Sequence, residues 1–289
     1  MRQTIRAAAL ALREALSNPR LERKPEPTAE MSDPENVRAF HEEGSDQGAL
    51  LGVYHFNARA VHAMTPKGGF VVDLGCGSGQ YLKYLALRRP DLRILGIDLA
   101  GEMVAAGNTM LREYSLADRV ELRVGDMTAF AHELPARVDL VTSIFSLHHL
   151  PTRRDLYACL GEIARLRANH GAAFWIFDHA RPRRRDTAER FPRVFTPHAS
   201  PAFNTDSTNS LIASWSYDEM RGAIAENIEQ TIQSRLARIL RLYQVHWAEV
   251  TNPLDGPIDA RLWCKAQVPG KSTLQDAKAL AGLFKSLPR

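Results

Sequence analysis

The sequence predicts an α/β fold on a doubly wound sheet, and three observations predict it. Short apolar runs alternate with segments of helical spacing from about residue 70 to residue 180, the sign of a parallel sheet. The first run, Val71-Val72-Asp73-Leu74, passes into Gly75-Cys76-Gly77-Ser78-Gly79, a turn with glycine at every second position that opens onto a helix start. Three successive strands close near an aspartate: Asp73, Asp98 and Asp126.

The elements follow in chain order. Residues 1–18 form an amphipathic helix with Ile5, Ala9, Leu12 and Leu16 on one face. Its arginines resemble a mitochondrial targeting peptide, but it holds little serine and no cleavage context, so a docking or dimerisation helix is the better reading. Pro19, Pro25 and Pro27, with charges between, make residues 19–35 a linker. Residues 34–64 read as helical, with Phe40, Leu50, Leu51, Tyr54, Phe56 and Val61 as apolar contacts, and Pro66-Lys67-Gly68-Gly69 ends them. Strands are expected at Phe70–Asp73, Arg93–Asp98, Val120–Val124, Val138–Ile144 and Ala172–Phe177. Helices are expected at about Gly79–Arg88, Gly101–Glu113 and Leu156–Leu166.

Residues 181–216 break the alternation, and a stretch that long is functional or disordered. A helix over Tyr217–Gln230 follows. Leu236–Val250 and Leu262–Val268 are assigned the last two strands, although Leu236, Ile239, Leu240 and Tyr243 also share a helix face, which leaves that stretch open. A short amphipathic helix runs from Thr273. The expected organisation is residues 1–35 as N-terminal helix and linker, 36–66 as a helical lid, 67–180 as the core, 181–216 as a lid insert over the substrate, and 217–289 as the rest of the sheet with a tail helix.

Composition narrows the function classes. A 45% hydrophobic and 24% charged chain is ordinary for a soluble globular protein. No stretch approaches ~20 uninterrupted apolar residues, so no membrane span is expected. Cys76, Cys159 and Cys264 form no CxxC pair and no disulfide framework, which fits a reducing, cytoplasmic setting. The net charge of +4 is diffuse. Its one cluster, Arg181, Arg183, Arg184 and Arg185, reads as a solvated loop rather than a nucleic-acid arm.

The glycine turn separates two cofactor classes. A dinucleotide fingerprint, G-x-G-x-x-G, would need a third glycine where Gln80 or Leu82 stands. The pattern is instead D-x-G-x-G-x-G. Ligands of an open parallel sheet lie at the carboxyl ends of its strands. There Asp98 can accept from two ribose hydroxyls, and Asp126, with Met127 beside it, from an adenine amino group. Each aspartate alone serves equally well as a cap or loop tie; the three together with the glycines favour a ligand.

The segments VVDLGCGSG, ILGIDLAGEM, VELRVGDM, VDLVTSIFSLHHL and FWIFDHARP make residues 70–180 resemble the core of class I, Rossmann-like S-adenosylmethionine (SAM) dependent methyltransferases. The resemblance implies a seven-stranded sheet with an antiparallel last strand. It implies that Gly75, Cys76 and Gly77 meet the methionine part of SAM, that Asp98 and Leu99 bind the ribose, and that Asp126 and Met127 flank the adenine. Asp73, Gly79, Met103 and Ser143 join the same candidate set. It is silent about the substrate.

Candidate bases sit where strands four and five end. His148, Asp178 and His179 are the catalytic candidates, histidine because its pKa lies near neutrality; a packed histidine is the alternative for each. A metal is not expected, because adjacent histidines point to opposite sides of an extended strand. Tyr54 and Asn57 share a helix face and, with His149, Phe203, Asn204 and Asn209, are the substrate candidates. The expected function is methyl transfer from SAM to a small-molecule acceptor such as a natural-product intermediate, leaving S-adenosylhomocysteine (SAH). An RNA or protein methyltransferase and a non-catalytic SAM-binding assembly protein are the alternatives. A homodimer through the terminal helices is a further expectation.

Overall fold

Seven strands form one sheet in the order β3-β2-β1-β4-β5-β7-β6. They are β1 (Phe70–Leu74), β2 (Arg93–Asp98), β3 (Val120–Val124), β4 (Leu140–Ile144), β5 (Ala173–His179), β6 (Gln233–Leu236) and β7 (Tyr243–Ala248). The computed structural model describes residues 2–18, 21–26, 45, 48–134, 137–228, 232–239, 241–250, 259–264 and 269–288. Val72 pairs in parallel with Leu95 on one side and Val141 on the other, so the strand order reverses between β1 and β4. Their carboxyl ends diverge there, which opens a crevice. β7 runs antiparallel to β5, with Trp175 opposite Trp247, and β6 antiparallel to β7.

Helices cover both faces. α2 (Leu51–Met64), α3 (Gln80–Arg88), α4 (Gly101–Glu113) and α9 (Lys271–Gly282) enclose one apolar layer that includes Phe56, Val61, Leu82, Leu85 and Leu111. α5 (Arg153–His170) and α8 (Tyr217–Asn227) enclose the other, with Leu160, Ile163, Trp215 and Ile224. The ends of α5 follow from local chemistry: Thr152 and Asp155 form a reciprocal capping box, and Gly171 at φ 69° takes the left-handed turn that closes it. A third cluster joins α1 (Arg2–Ala15), α6 (Arg185–Phe195) and α7 (Pro201–Ala213) through Leu10, Phe191, Leu211 and Ile212. Among the described residues, no helix is long and apolar enough to cross a membrane.

The structure departs from the sequence expectations in four places. Residues 181–216 are largely helical, as α6 and α7. Leu236 ends β6 and Tyr243 starts β7, so the helix-like face there is a hairpin, turned at Arg241 with φ 53°; pairing with β5 overrides the local period. Ala260–Leu262 is a single 3₁₀ turn rather than the start of a strand, and 265–268 lie outside the described residues. The described part of the helix expected over 34–64 begins at Leu51; Phe40, and most of the linker expected over 19–35, lie outside the described residues.

Arg181–Arg185 binds within the chain. Arg181 donates to the carbonyls of Leu21 and Ser214, Arg183 to those of Ala15 and Ser17, and Arg184 and Arg185 pair with Asp186 and Glu189. Asn57, expected at the substrate, is instead fully buried in the core: its Nδ2 donates to the Val53 carbonyl at 2.9 Å, and its Oδ1 accepts from Trp175 Nε1 at 2.7 Å. Asn57→Ala strands the indole N–H, a loss of about 1–3 kcal/mol, which denaturant unfolding of the two proteins measures.

Candidate active site

A cavity of about 490 Å³ opens at the carboxyl ends of β1, β2, β4 and β5. Its first end is the glycine loop. Gly75, Gly77 and Gly79 all have positive φ, a region that glycine occupies without steric cost. Gly75 is also required by space, since a Cβ there would lie 2.3 Å from Ser146 Cβ. Asp98 ties the loop down: one carboxylate oxygen accepts from Gly77 N at 2.7 Å and the other from Ala100 N at 2.9 Å. Each of those oxygens retains further acceptor capacity. Asp73, Gly75, Cys76, Gly77, Asp98, Leu99, Met103 and Met127 all line this end. Burial, reinforced by the Asp98 charge and opposed by a hydrogen bond from Thr142, pushes the Asp73 carboxyl up to about 7.

Three residues of the expected cofactor set are placed differently. Gly79 caps α3 in the left-handed region and packs on Leu122, outside the cavity lining. Ser143 is buried behind the lining, where its hydroxyl meets Ser146 Oγ at 2.6 Å, and it is Ser146 that lines the cavity. Asp126 is exposed, and its Oδ1 accepts from both the amide and the hydroxyl of Thr128 at 2.8 Å, the local cap that a lone aspartate also predicts.

The second end is built around Asp178. This carboxylate is 1% exposed and lies behind the lining. It accepts from His148 N at 3.0 Å and His179 N at 2.7 Å, and its Oδ1 lies 2.7 Å from His148 Nδ1. Burial opposes its charge, but the His148 imidazole and these hydrogen bonds hold its carboxyl below the usual range. An ionised partner on Nδ1 selects the tautomer that leaves Nε2 of His148 as the acceptor, and His148 lines the cavity. Asp178 therefore holds the His148 ring rather than lining the cavity itself. His179 also lines the cavity; burial and the neighbouring His148 push it down to about 3, so it is neutral. Its Nδ1 has no hydrogen-bond partner among the described residues. It stacks on Phe145 at 4.3 Å, and Phe145 holds the uncommon φ of 54° at the end of β4.

A segment that the sequence reading treated as linker closes this end. Glu26 accepts from Ser210 Oγ at 2.9 Å, and its other oxygen lies 2.6 Å from His149 Nδ1. Arg23 reaches the carbonyls of His148, Leu150, Pro151 and Ala213, with its guanidinium 3.6 Å above the Trp215 ring. His148 and His149 lie on a 3₁₀ turn, Leu147–His149, not on an extended strand, and their rings are 4.2 Å apart. Ligand atoms of Glu26, His148 and His149 consequently lie within 4.8 Å of one another. Within this group His149 Nδ1 meets Glu26, while His148 Nδ1 meets Asp178 outside it.

Among the substrate candidates, Tyr54, His149 and Phe203 line the cavity. Asn204 instead bonds Thr196 and the Ala199 carbonyl between α6 and α7, and Asn209 is exposed. Sequence reasoning missed Glu26 and Arg23, which lie in the stretch read as a linker and carried no local signal. Ser146, at the end of the fourth strand, and Asp206, among the aromatic and amide residues of the insert, were both legible there and both line the cavity.

The Glu26–His149 pair is pH-dependent. Burial opposes both charges, but each partner stabilises the other: Glu26 is held down at about 2 from 4.5, and His149 up at about 9 from 6.5. The glutamate contribution is full above 4.5 and lost as pH falls through about 2; the histidine contribution is full below 6.5 and lost as pH rises through about 9. The difference in melting temperature between wild type and Glu26→Gln is therefore greatest between pH 4.5 and 6.5 and shrinks toward pH 9.

Residues 71–171 match the methyltransferase-domain family. A methyltransferase of Aspergillus campestris, ungE', is 39% identical over 110 residues, covering 36% of this chain and 30% of that protein. A trans-aconitate 2-methyltransferase of Deinococcus radiodurans is 35% identical over 108 residues, covering 36% of this chain and 38% of that protein. The chain thus spans about a third of the length of these curated relatives. Among solved structures, the plantazolicin methyltransferase BpumL, in complex with a monoazolic desmethylPZN analog and SAH, superposes with a TM-score of 0.56 at 14% identity, covering 86% of this chain and 100% of that one. With the sheet order above, residues 71–171 resemble a methyltransferase domain, and the chain shares its Rossmann-like fold with solved SAM-dependent methyltransferases.

Proposed function

We propose that this chain transfers a methyl group from SAM to a small-molecule acceptor. The observation that carries the reading is that a single cavity joins the glycine loop to the His148–Asp178 pair. The first end suits SAM: the backbone at Gly75 leaves a cradle that a Cβ would fill, and Asp98 offers acceptors for vicinal hydroxyls. Bound SAM supplies a methyl carbon on a sulfonium whose leaving group is a neutral thioether. The chain then has two tasks. One is to hold the acceptor in line with that carbon, which the walls from α2, α6, α7 and α9 do. The other is to take the acceptor's proton onto Nε2 of His148, with the Asp178 carboxylate stabilising the imidazolium that forms. The aromatic lining, and an arginine cluster that binds within the chain, favour a small molecule over RNA or protein.

Calorimetry with SAH tests the cofactor end: wild type binds, Asp98→Ala does not, and absence of wild-type binding sinks the proposal. Because the ligand carries an ammonium group and Asp73 ionises at about 7, SAH affinity rises as pH climbs through that value, and Asp73→Asn flattens the rise. At the other end, His148→Ala leaves SAH affinity unchanged and lowers tritiated-methyl transfer into a small-molecule extract by about a hundred- to ten-thousand-fold.

A further inference from the structure

The acceptor end of the cavity has a definite charge. Among the described residues, no Lys or Arg lines it. Arg23, the cation behind the His148 turn, is occupied by four carbonyls and the Trp215 ring. His149 is matched by Glu26, and His179 is neutral. That leaves Asp206, a lining residue of α7. Its carboxylate has no hydrogen-bond donor among the described residues, although Asp126, Asp139, Asp178 and Asp186 each have one. The surrounding wall is aromatic: Phe145, Phe191, Phe195, Phe203 and Tyr243.

We infer that the acceptor is an amine with an apolar body, held as its ammonium ion by the Asp206 carboxylate, with the body against this aromatic wall. The inference rests on the methyl-transfer reading and adds the class of acceptor. Two features converge on it. A carboxylate half-buried without a donor gains a charge-assisted hydrogen bond from an ammonium group. Aromatic faces attract a cation, and more so where water is excluded. Burial and the nearby Glu26, opposed in part by His149 and His148, push the Asp206 carboxyl up to about 6, and a cation hydrogen-bonded to it relieves the remaining penalty. A polycarboxylate such as the trans-aconitate named for the Deinococcus relative would meet the Asp206 carboxylate, with no Lys or Arg lining the cavity among the described residues to receive it. The ammonium nitrogen has no free lone pair, so it is a handle, and the methyl goes to a separate group of the acceptor presented to His148.

Three probes that share one phenyl-ethyl body separate the possibilities: phenethylamine, phenethyl alcohol and hydrocinnamate. Their binding is measured by calorimetry to the full chain, with and without SAH. Phenethylamine is expected to bind about tenfold or more tighter than hydrocinnamate. Asp206→Asn removes that preference while leaving phenethyl alcohol and SAH binding unchanged, which reports an intact fold, and Asp206→Glu retains it. Equal binding of amine and acid, no binding of the amine, or an amine affinity indifferent to Asp206→Asn overturns the inference. If SAH fails to bind while the amine preference persists, the methyl-transfer reading falls and the cation site stands.

Discussion

The His148 end of the cavity depends on one buried charge, the Asp178 carboxylate. An ionised carboxylate taken out of water must be compensated where it stands. Here two amides and one imidazole compensate it, and all three belong to residues that form the cavity. Satisfying that charge draws the turn after β4 onto the end of β5. It fixes the His148 ring, and it leaves the carbonyls of the turn facing outward. Those carbonyls are what Arg23 and the Trp215 indole then bind. The strap that carries Glu26 is thus seated on a surface that Asp178 creates.

The opposite end follows the same logic with a different anion. Asp98 engages the amides of Gly77 and Ala100, so the loop has its shape before any ligand arrives. Carboxylates that a sequence suggests as ligand contacts are here first of all backbone ties, and they present a surface to a ligand as a consequence. Preorganisation of this kind lowers the conformational cost of binding.

Much of the frame was legible in the sequence because its signals are local. The strands of the core, the glycine loop and the D-x-G-x-G-x-G spacing are each contained within a few residues, and Asp98 and Met127 follow from strand ends. What was hidden depends on partners distant in the chain. Nothing beside Asn57 marks Trp175 as its partner, and nothing beside Pro25 and Pro27 marks Glu26 as the mate of His149. Asp126 and Asn204 were misplaced because a short polar side chain satisfies itself locally whenever geometry permits. The stretch Leu236–Val250 reads in sequence as either strand or helix because Leu236, Ile239 and Tyr243 also display a helical period, which pairing along β5 outweighs. The histidine pair was taken as extended, whereas a single 3₁₀ turn puts both rings on one side.

The contact between Gly75 and Ser146 links regions that are 71 positions apart in the chain, leaving no room for even a methyl group between them. The two ends of the cavity are therefore one inheritable unit. A chimera assembled from two related proteins, with its crossover between the glycine loop and β4, must receive a glycine at position 75 wherever the other parent brings any side chain at position 146. The helices α6 and α7 are tied instead to α1 and to the segment that carries Glu26, whereas the end of β4 travels with the glycine loop.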